Sequence, residues 1–261
     1  MNHQYCKVET IDHLMIVTIN RPDARNALNP PANHELGEVF DTFENGPNYR
    51  VAIVTGAGEK AFCSGADLKD ADRMQAGGFV PPSGFGGLTS RYQRRKPVIA
   101  AVNGFAVGGG FELALACDII VASATAKFGL TEPRVGLAAL GGGIQRLIRE
   151  IGLKRASAML LTARQVSAEE GLRLGFVNEL APPADLVTVA MRWADEMLMC
   201  SPASISATKA IANALDGQST QASIESMFTI PAVKALFSSP DAKEGPRAFA
   251  ERRVPRWQNL G

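Results

Sequence analysis

KPVIAAVNGFAVGGGFELALACDIIVASATAKFGLTE, residues 96–132, decides the reading of this chain. Val98 to Val102 is a short, wholly apolar run, which predicts a buried strand. Asn103-Gly104 turns the chain and a second short apolar run follows. Gly108 to Gly110 then lead into FELALA, which is rich in strong helix formers. The pattern is strand, glycine turn, helix start. A helix start presents unpaired backbone N–H groups to an anion or a developing oxyanion, and glycine lets a ligand approach the backbone closely. Glu112 lies just inside that helix, in an otherwise apolar run. A carboxylate there is either a solvated helix residue or a placed functional group.

Working outward, Lys7 to Asn20 reads as a hairpin turning at Asp12-His13, and Arg21 to Asn26 as a polar loop. From Pro31, Leu36, Val39, Phe40 and Phe43 repeat with helical spacing, and Val51 to Thr55 is another buried strand. Gly56 to Ala61 matches the dinucleotide pattern G-x-G-x-x-A. The following Phe62-Cys63-Ser64-Gly65 does not continue an amphipathic helix, so a strand-ending turn is preferred. Residues 75–90, QAGGFVPPSGFGGLTS, hold five glycines and two consecutive prolines, which predicts a long flexible loop of lid or binding type.

Downstream, a second glycine triplet, Gly141 to Gly143, precedes a helical face of Ile144, Leu147, Ile148 and Ile151. Another helix covers Ala156 to Leu161. Ser167 opens an S-x-x-E capping box, Phe176 to Leu180 reads as a strand, and Ala184 to Met199 as a long helix. From Pro202 the chain is helical again, with breaks at Gly217 and near Ser239-Pro240. Strands alternate with helices early and helices dominate the last third, which describes an α/β core with a helical C-terminal extension.

The chain has 261 residues, 46% apolar and 20% charged, with a net charge of +1. That balance gives no reason to invoke nucleic acid or a membrane surface. Cys6, Cys63, Cys117 and Cys200 form no CxxC pair and suit reduced thiols. No signal peptide or membrane-length apolar run is visible, so a cytoplasmic protein is expected. His3, His13 and His34 show no ligand spacing, so no metal is expected.

Taken together, NRPDARNAL, AFCSGADLK, the 96–132 stretch with FGLTEPRVGL, GGGIQRL, LTARQVSAEEGLRLGFVNEL and FAERRVPRW resemble the crotonase (enoyl-CoA hydratase/isomerase) superfamily over nearly the whole chain. The resemblance implies a spiral of repeated β-β-α units over residues 1–200. It also implies a helical trimerisation region over 201–261, and a homotrimer or homohexamer. Its substrate would be an acyl-CoA thioester, with no separate cofactor because coenzyme A is part of the substrate. By resemblance, the Ala66 and Gly109 amides form an oxyanion hole. Glu112 holds and deprotonates a water, and Glu132 delivers a proton to the α-carbon. Ser64, Gly65, Ala66, Asp67, Lys69 and Arg25 stand where the family contacts coenzyme A. Ala139-Leu140 replaces the proline-containing pair common before the second triplet, which leaves the acyl group open. The GFGGLT and FELALACD segments resemble carnitinyl-CoA dehydratase-like members. The intact glutamate pair implies an enoyl-CoA hydratase. The alternatives are a dehydratase or isomerase of the same fold, or a catalytically idle acyl-CoA-binding member.

Overall fold

The strand segments 14–19, 51–56 and 98–102 are almost wholly apolar because both faces of the larger sheet are covered there. The computed structural model describes residues 3–70, 78–214 and 217–260. Six strands, β1 (Cys6–Ile11), β2 (Leu14–Ile19), β3 (Val51–Gly56), β5 (Val98–Val102), β7 (Ile119–Ser123) and β10 (Glu179–Ala181), lie side by side in that order. The β1–β2 hairpin is antiparallel and turns at Asp12, whose φ is 48°. The remaining pairings are parallel. Alternate residues serve opposite faces. Val98, Ala100 and Val102 join the main core, while Ile99 and Ala101 pack with Ile53, Leu186, Ala190 and Ala194.

A second sheet carries β4 (Ala61–Cys63), β6 (Phe105–Val107), β8 (Lys127–Gly129) and β9 (Val166–Ser167). The chain steps from the large sheet to the small one at β3–β4, β5–β6 and β7–β8, and returns through helical or irregular segments. This is the expected spiral of β-β-α units. Helix α1 (Pro30–Asn45) begins on Asn29, whose side chain accepts the Ala32 N–H, and buries Leu36, Val39, Phe40 and Phe43. Helix α2 (Gly109–Leu115) follows β6. Helices α3 (Gly143–Ile151), α4 (Leu153–Thr162) and α5 (Ala168–Leu174) come next. Helix α6 (Leu186–Leu198) covers the outer face of the large sheet. Helices α7 (Pro202–Ala214), α8 (Thr220–Met227), α9 (Pro231–Ser238) and α10 (Asp241–Ala250) complete the chain. Among the described residues no helix is long and apolar enough to cross a membrane.

Three sequence expectations change. The segment expected to be a flexible loop lies partly outside the described residues at 75–77. Its described part, 78–90, is packed: Phe79, Phe85 and Leu88 are buried, and Asn33 accepts the Gly86 N–H at 2.8 Å. Its few large apolar residues outweigh its glycines. The Ser167 capping box is half made. Ser167 accepts the Glu170 N–H, but the Glu170 carboxylate turns to Arg164, so the reciprocal bond is lost. The strand expected from Phe176 starts at Glu179, because Phe176 and Val177 are buried in the main core instead. After Gly56 the chain runs directly into β4 with no helix, which agrees with rejecting a dinucleotide site.

Asp118, at the entrance to β7, ties α7 to the core. It accepts from Arg94 Nη2 and from the Val98 N–H, each at 2.8 Å, and from Lys209 Nζ of α7. Burial pushes its carboxyl up, but the two cations and the amide outweigh burial and hold it below its ordinary value. Asp118→Ala leaves a buried guanidinium and a lysine without their counter-ion. It is expected to lower the unfolding free energy by about 3 kcal/mol in urea titrations. A loss within about 0.5 kcal/mol, as at an ordinary surface site, would contradict this account.

Candidate active site

Two turns meet where the small sheet ends. Gly65, with φ at 90°, ends the turn after β4, and a side chain there would come within 3.2 Å of the Gly109 nitrogen. Gly110 sits so close to β4 that a Cβ would lie 1.9 Å from the Cys63 carbonyl oxygen. Only glycine permits this backbone contact, which sets the 64–66 turn beside the start of α2. The parallel bridge from Leu28 uses the Gly65 carbonyl and the Asp67 N–H, at 2.9 Å each. The Ala66 N–H between them therefore faces away from Leu28. Gly109 is the first residue of α2, where no intrahelical acceptor exists. Among the described residues neither amide donates to a protein acceptor, and both residues are half-buried. With only seven residues, α2 adds little dipole, so any anion here depends on these individual amides.

Glu112 points from α2 into the second glycine turn. It is 5% exposed, and its Oε1 accepts the Gly143 N–H at 2.9 Å. A side chain at Gly141 would come within 2.7 Å of Oε2. Burial pushes the carboxyl above its ordinary value. The Gly143 and Gly141 amides and the Arg146 charge pull in the opposite direction.

Glu132 opens a short 3-10 turn after β8 and faces the first triplet, 3.5 Å from where a Gly108 side chain would begin. Its Oε2 is buried without a hydrogen-bond partner among the described residues. Burial drives its carboxyl up to about 7, its own amide opposes this, and the nearby Glu112 charge adds to the rise. The sequence thus brings together Glu112, Glu132, Ala66 and Gly109 at one place. One carboxyl is hydrogen-bonded and faces a cation. The other has one oxygen without a partner among the described residues and is readily protonated near neutrality, a pairing suited to base and acid work on one substrate.

The residues expected to face coenzyme A are less uniform. Arg25 and Lys69 are exposed, and the Arg25 carbonyl accepts the Ser64 N–H at 3.1 Å, so both flank the 64–66 turn. Asp67 instead pairs with Arg21 at 3.0 Å, and its other oxygen accepts the Lys69 N–H. Its carboxylate braces the turn, a role that the motif alone did not reveal. Sequence reasoning also missed Arg146. Its Nη1 donates to the Gly141 carbonyl at 3.1 Å and its Nη2 to the Thr89 carbonyl at 2.8 Å. The Phe85 ring also lies against Gly109, from a segment whose glycines give no local sign of it. The QRL segment offered a signal for Arg146, but its partners lie in distant loops.

Outside this site, His3, Cys6 and Glu35 approach one another closely enough to share a cation. The Glu35 carboxylate already accepts the Gln4, Tyr5 and Cys6 amides, and burial with the Glu35 charge pushes the Cys6 thiol up to about 12. A metal would have to displace both arrangements. Cys63 and Cys117 are likewise pushed up to about 12 by burial, and Cys200 is exposed.

Residues 9–260 match the family model for enoyl-CoA hydratase/isomerase. The chain belongs to the enoyl-CoA hydratase/isomerase family. It is 39% identical over 258 residues to a carnitinyl-CoA dehydratase of Proteus mirabilis, covering 98% of each chain. It is 38% identical to an (E)-benzylidenesuccinyl-CoA hydratase of Thauera aromatica, covering 96% of this chain and 98% of that one. Its fold superimposes on a crystal structure of an enoyl-CoA hydratase from Mycobacterium marinum with a TM-score of 0.90 at 39% identity, over 97% and 98% of the two chains. The crotonase fold and an enoyl-CoA hydratase-type enzyme follow from this membership.

Glu132 has a raised carboxyl in the folded chain, so its neutral form is the one the fold favours. Its stabilising contribution is fully present below the unfolded value near 4.5 and is lost as pH rises through about 7. Glu132→Gln keeps the neutral shape at every pH. The melting temperature of the variant relative to the parent is therefore expected to rise between pH 4.5 and pH 8. A difference that stays flat across that range would show that Glu132 is not a destabilising buried charge.

Proposed function

We propose that this protein adds water reversibly across the double bond of a 2-enoyl-CoA, giving the 3-hydroxyacyl-CoA. The observation that carries the reading is the buried Glu112 and the half-buried Glu132 beside two outward-facing amides. The thioester oxygen is held by the Ala66 and Gly109 N–H groups. Glu112 takes a proton from the bound water as its oxygen bonds to C3. The C2–C3 π electrons shift toward the carbonyl, and the resulting enolate oxygen is stabilised by the two amides. Glu132, readily protonated near neutral pH, gives its proton to C2 as the carbonyl reforms. Proton exchange with solvent returns Glu112 to its anion and Glu132 to its acid, so the net change is one water added. The coenzyme A portion lies along Ser64 to Ala66, with Arg25 and Lys69 reaching its phosphates.

The acyl end meets the rim formed by Val135 and Leu137, both exposed on the turn that Glu132 opens. An apolar rim open to solvent accommodates a substituted acyl group, and relatives named for carnitinyl-CoA and benzylidenesuccinyl-CoA point the same way. A panel of straight, branched and carboxylated enoyl-CoA thioesters reads this preference directly. Ile224, Phe228 and Phe237 are exposed on the C-terminal helices. They support assembly into trimers or hexamers, which sedimentation checks; a monomer at working concentration would overturn that part.

Glu112→Gln and Glu132→Gln each keep shape but lose a titrating group. Hydration of the best enoyl-CoA in that panel, followed by loss of its ultraviolet absorbance, should fall by roughly 100-fold or more in each. The double variant should be little worse than the poorer single one, because the two act as a unit. If Glu132→Gln hydrates normally while Glu112→Gln is inactive, a one-carboxylate enzyme such as an isomerase replaces this reading.

A further inference from the structure

We infer that Arg146 is a positioning residue for Glu112, clamping the second glycine turn to the packed 78–90 segment so that the carboxylate is presented in one geometry. This rests on the proposed base role of Glu112. Arg146 lies one turn into α3, three residues beyond Gly143. One guanidinium nitrogen holds the Gly141 carbonyl and another holds the Thr89 carbonyl. Those contacts fix the two loops that bound the site. Gly141 and Gly143 border the Glu112 carboxylate, and Gly143 donates to it. Thr89 accepts the Phe85 N–H through its hydroxyl at 2.8 Å, and the Phe85 ring rests against Gly109. A single planar group therefore braces the surroundings of the base and of one oxyanion donor. Lysine carries the charge but not the fork needed to span two carbonyls in fixed directions.

Arg146 also acts at a distance on the carboxylate. The charged groups facing Glu112 are Glu132 from the 3-10 turn and Arg146 from α3, together with the Gly141 and Gly143 amides. Arg146 itself faces Tyr92 and Arg94 before β5 and Cys117 after α2. Among the described residues around Glu112, it alone supplies a full positive charge favouring the ionised base, so its removal raises the pH at which Glu112 ionises.

The test compares Arg146→Met and Arg146→Lys with the parent, using the enoyl-CoA that the parent hydrates fastest and melting curves to establish folding. In both variants kcat should fall roughly 10–100-fold with KM nearly unchanged, as when an orienting partner is lost. In Arg146→Met alone, the acid limb of the kcat profile should move to higher pH, a change that a merely structural brace would not produce. Folded Arg146→Met with parental kcat and an unmoved acid limb overturns the inference. Should Arg146→Met not fold, Arg146→Lys decides: parental kcat overturns the clamp, and reduced kcat at unchanged KM supports it. A parent that hydrates no thioester in the panel sinks the hydratase reading instead. The inference is then read from the carbon-13 carboxyl titration of Glu112, identified by its loss in Glu112→Gln. An upward shift in Arg146→Met supports it and an unmoved titration overturns it.

Discussion

The site depends on backbone meeting backbone at Gly110 and Gly65. With the Cys63 carbonyl where the first carbon of any side chain on Gly110 would have to be, β4 and α2 close on each other only if that position carries none. This contact gathers chemistry from remote parts of the chain, because one turn belongs to the first circuit of the spiral and the other to the second. The parallel strands behind them hold the two turns in register, and the Phe111, Phe128 and Phe176 rings, with centroids 5.1–5.3 Å apart, fill the space beneath. Edge-to-face and tilted ring contacts at that spacing are favourable and make a stiff floor.

On that floor two carboxyls are treated differently. Glu112 is buried more completely, yet it receives an amide hydrogen bond and lies near a guanidinium. Glu132 is less buried but has an oxygen with no partner among the described residues. Desolvation without compensation favours the neutral acid, while hydrogen bonding and an opposite charge favour the anion. Difference of environment, not of residue type, separates a base from an acid here.

Much of this was legible in the sequence. The continuous apolar runs of β3, β5 and β7 identify doubly covered strands, and the glycine triplets mark close approaches. Glu112 stands out because a charged residue in an apolar helical run needs a reason. What was not legible depends on pairings across long stretches of chain. Arg146 finds Thr89 across 57 positions and Lys209 finds Asp118 across 91, so no local window contains both partners. Local composition also misled: the glycines and prolines of residues 78–90 spoke for mobility, whereas Phe79, Phe85 and Leu88 bury themselves. At Ser167 the capping signal was genuine, but Arg164 competed for the same glutamate.

The distribution of thiols has a practical corollary for labelling. A thiolate, not a thiol, attacks alkylating reagents. Cys6, Cys63 and Cys117 are held protonated far above neutral pH by their surroundings, and Cys63 lies two residues before Gly65, in the wall of the site. Cys200 sits in the open between α6 and α7. A maleimide dye added to the folded chain would therefore attach at one point, at the root of the C-terminal helices. It would report on their surroundings while leaving the interior chemistry untouched.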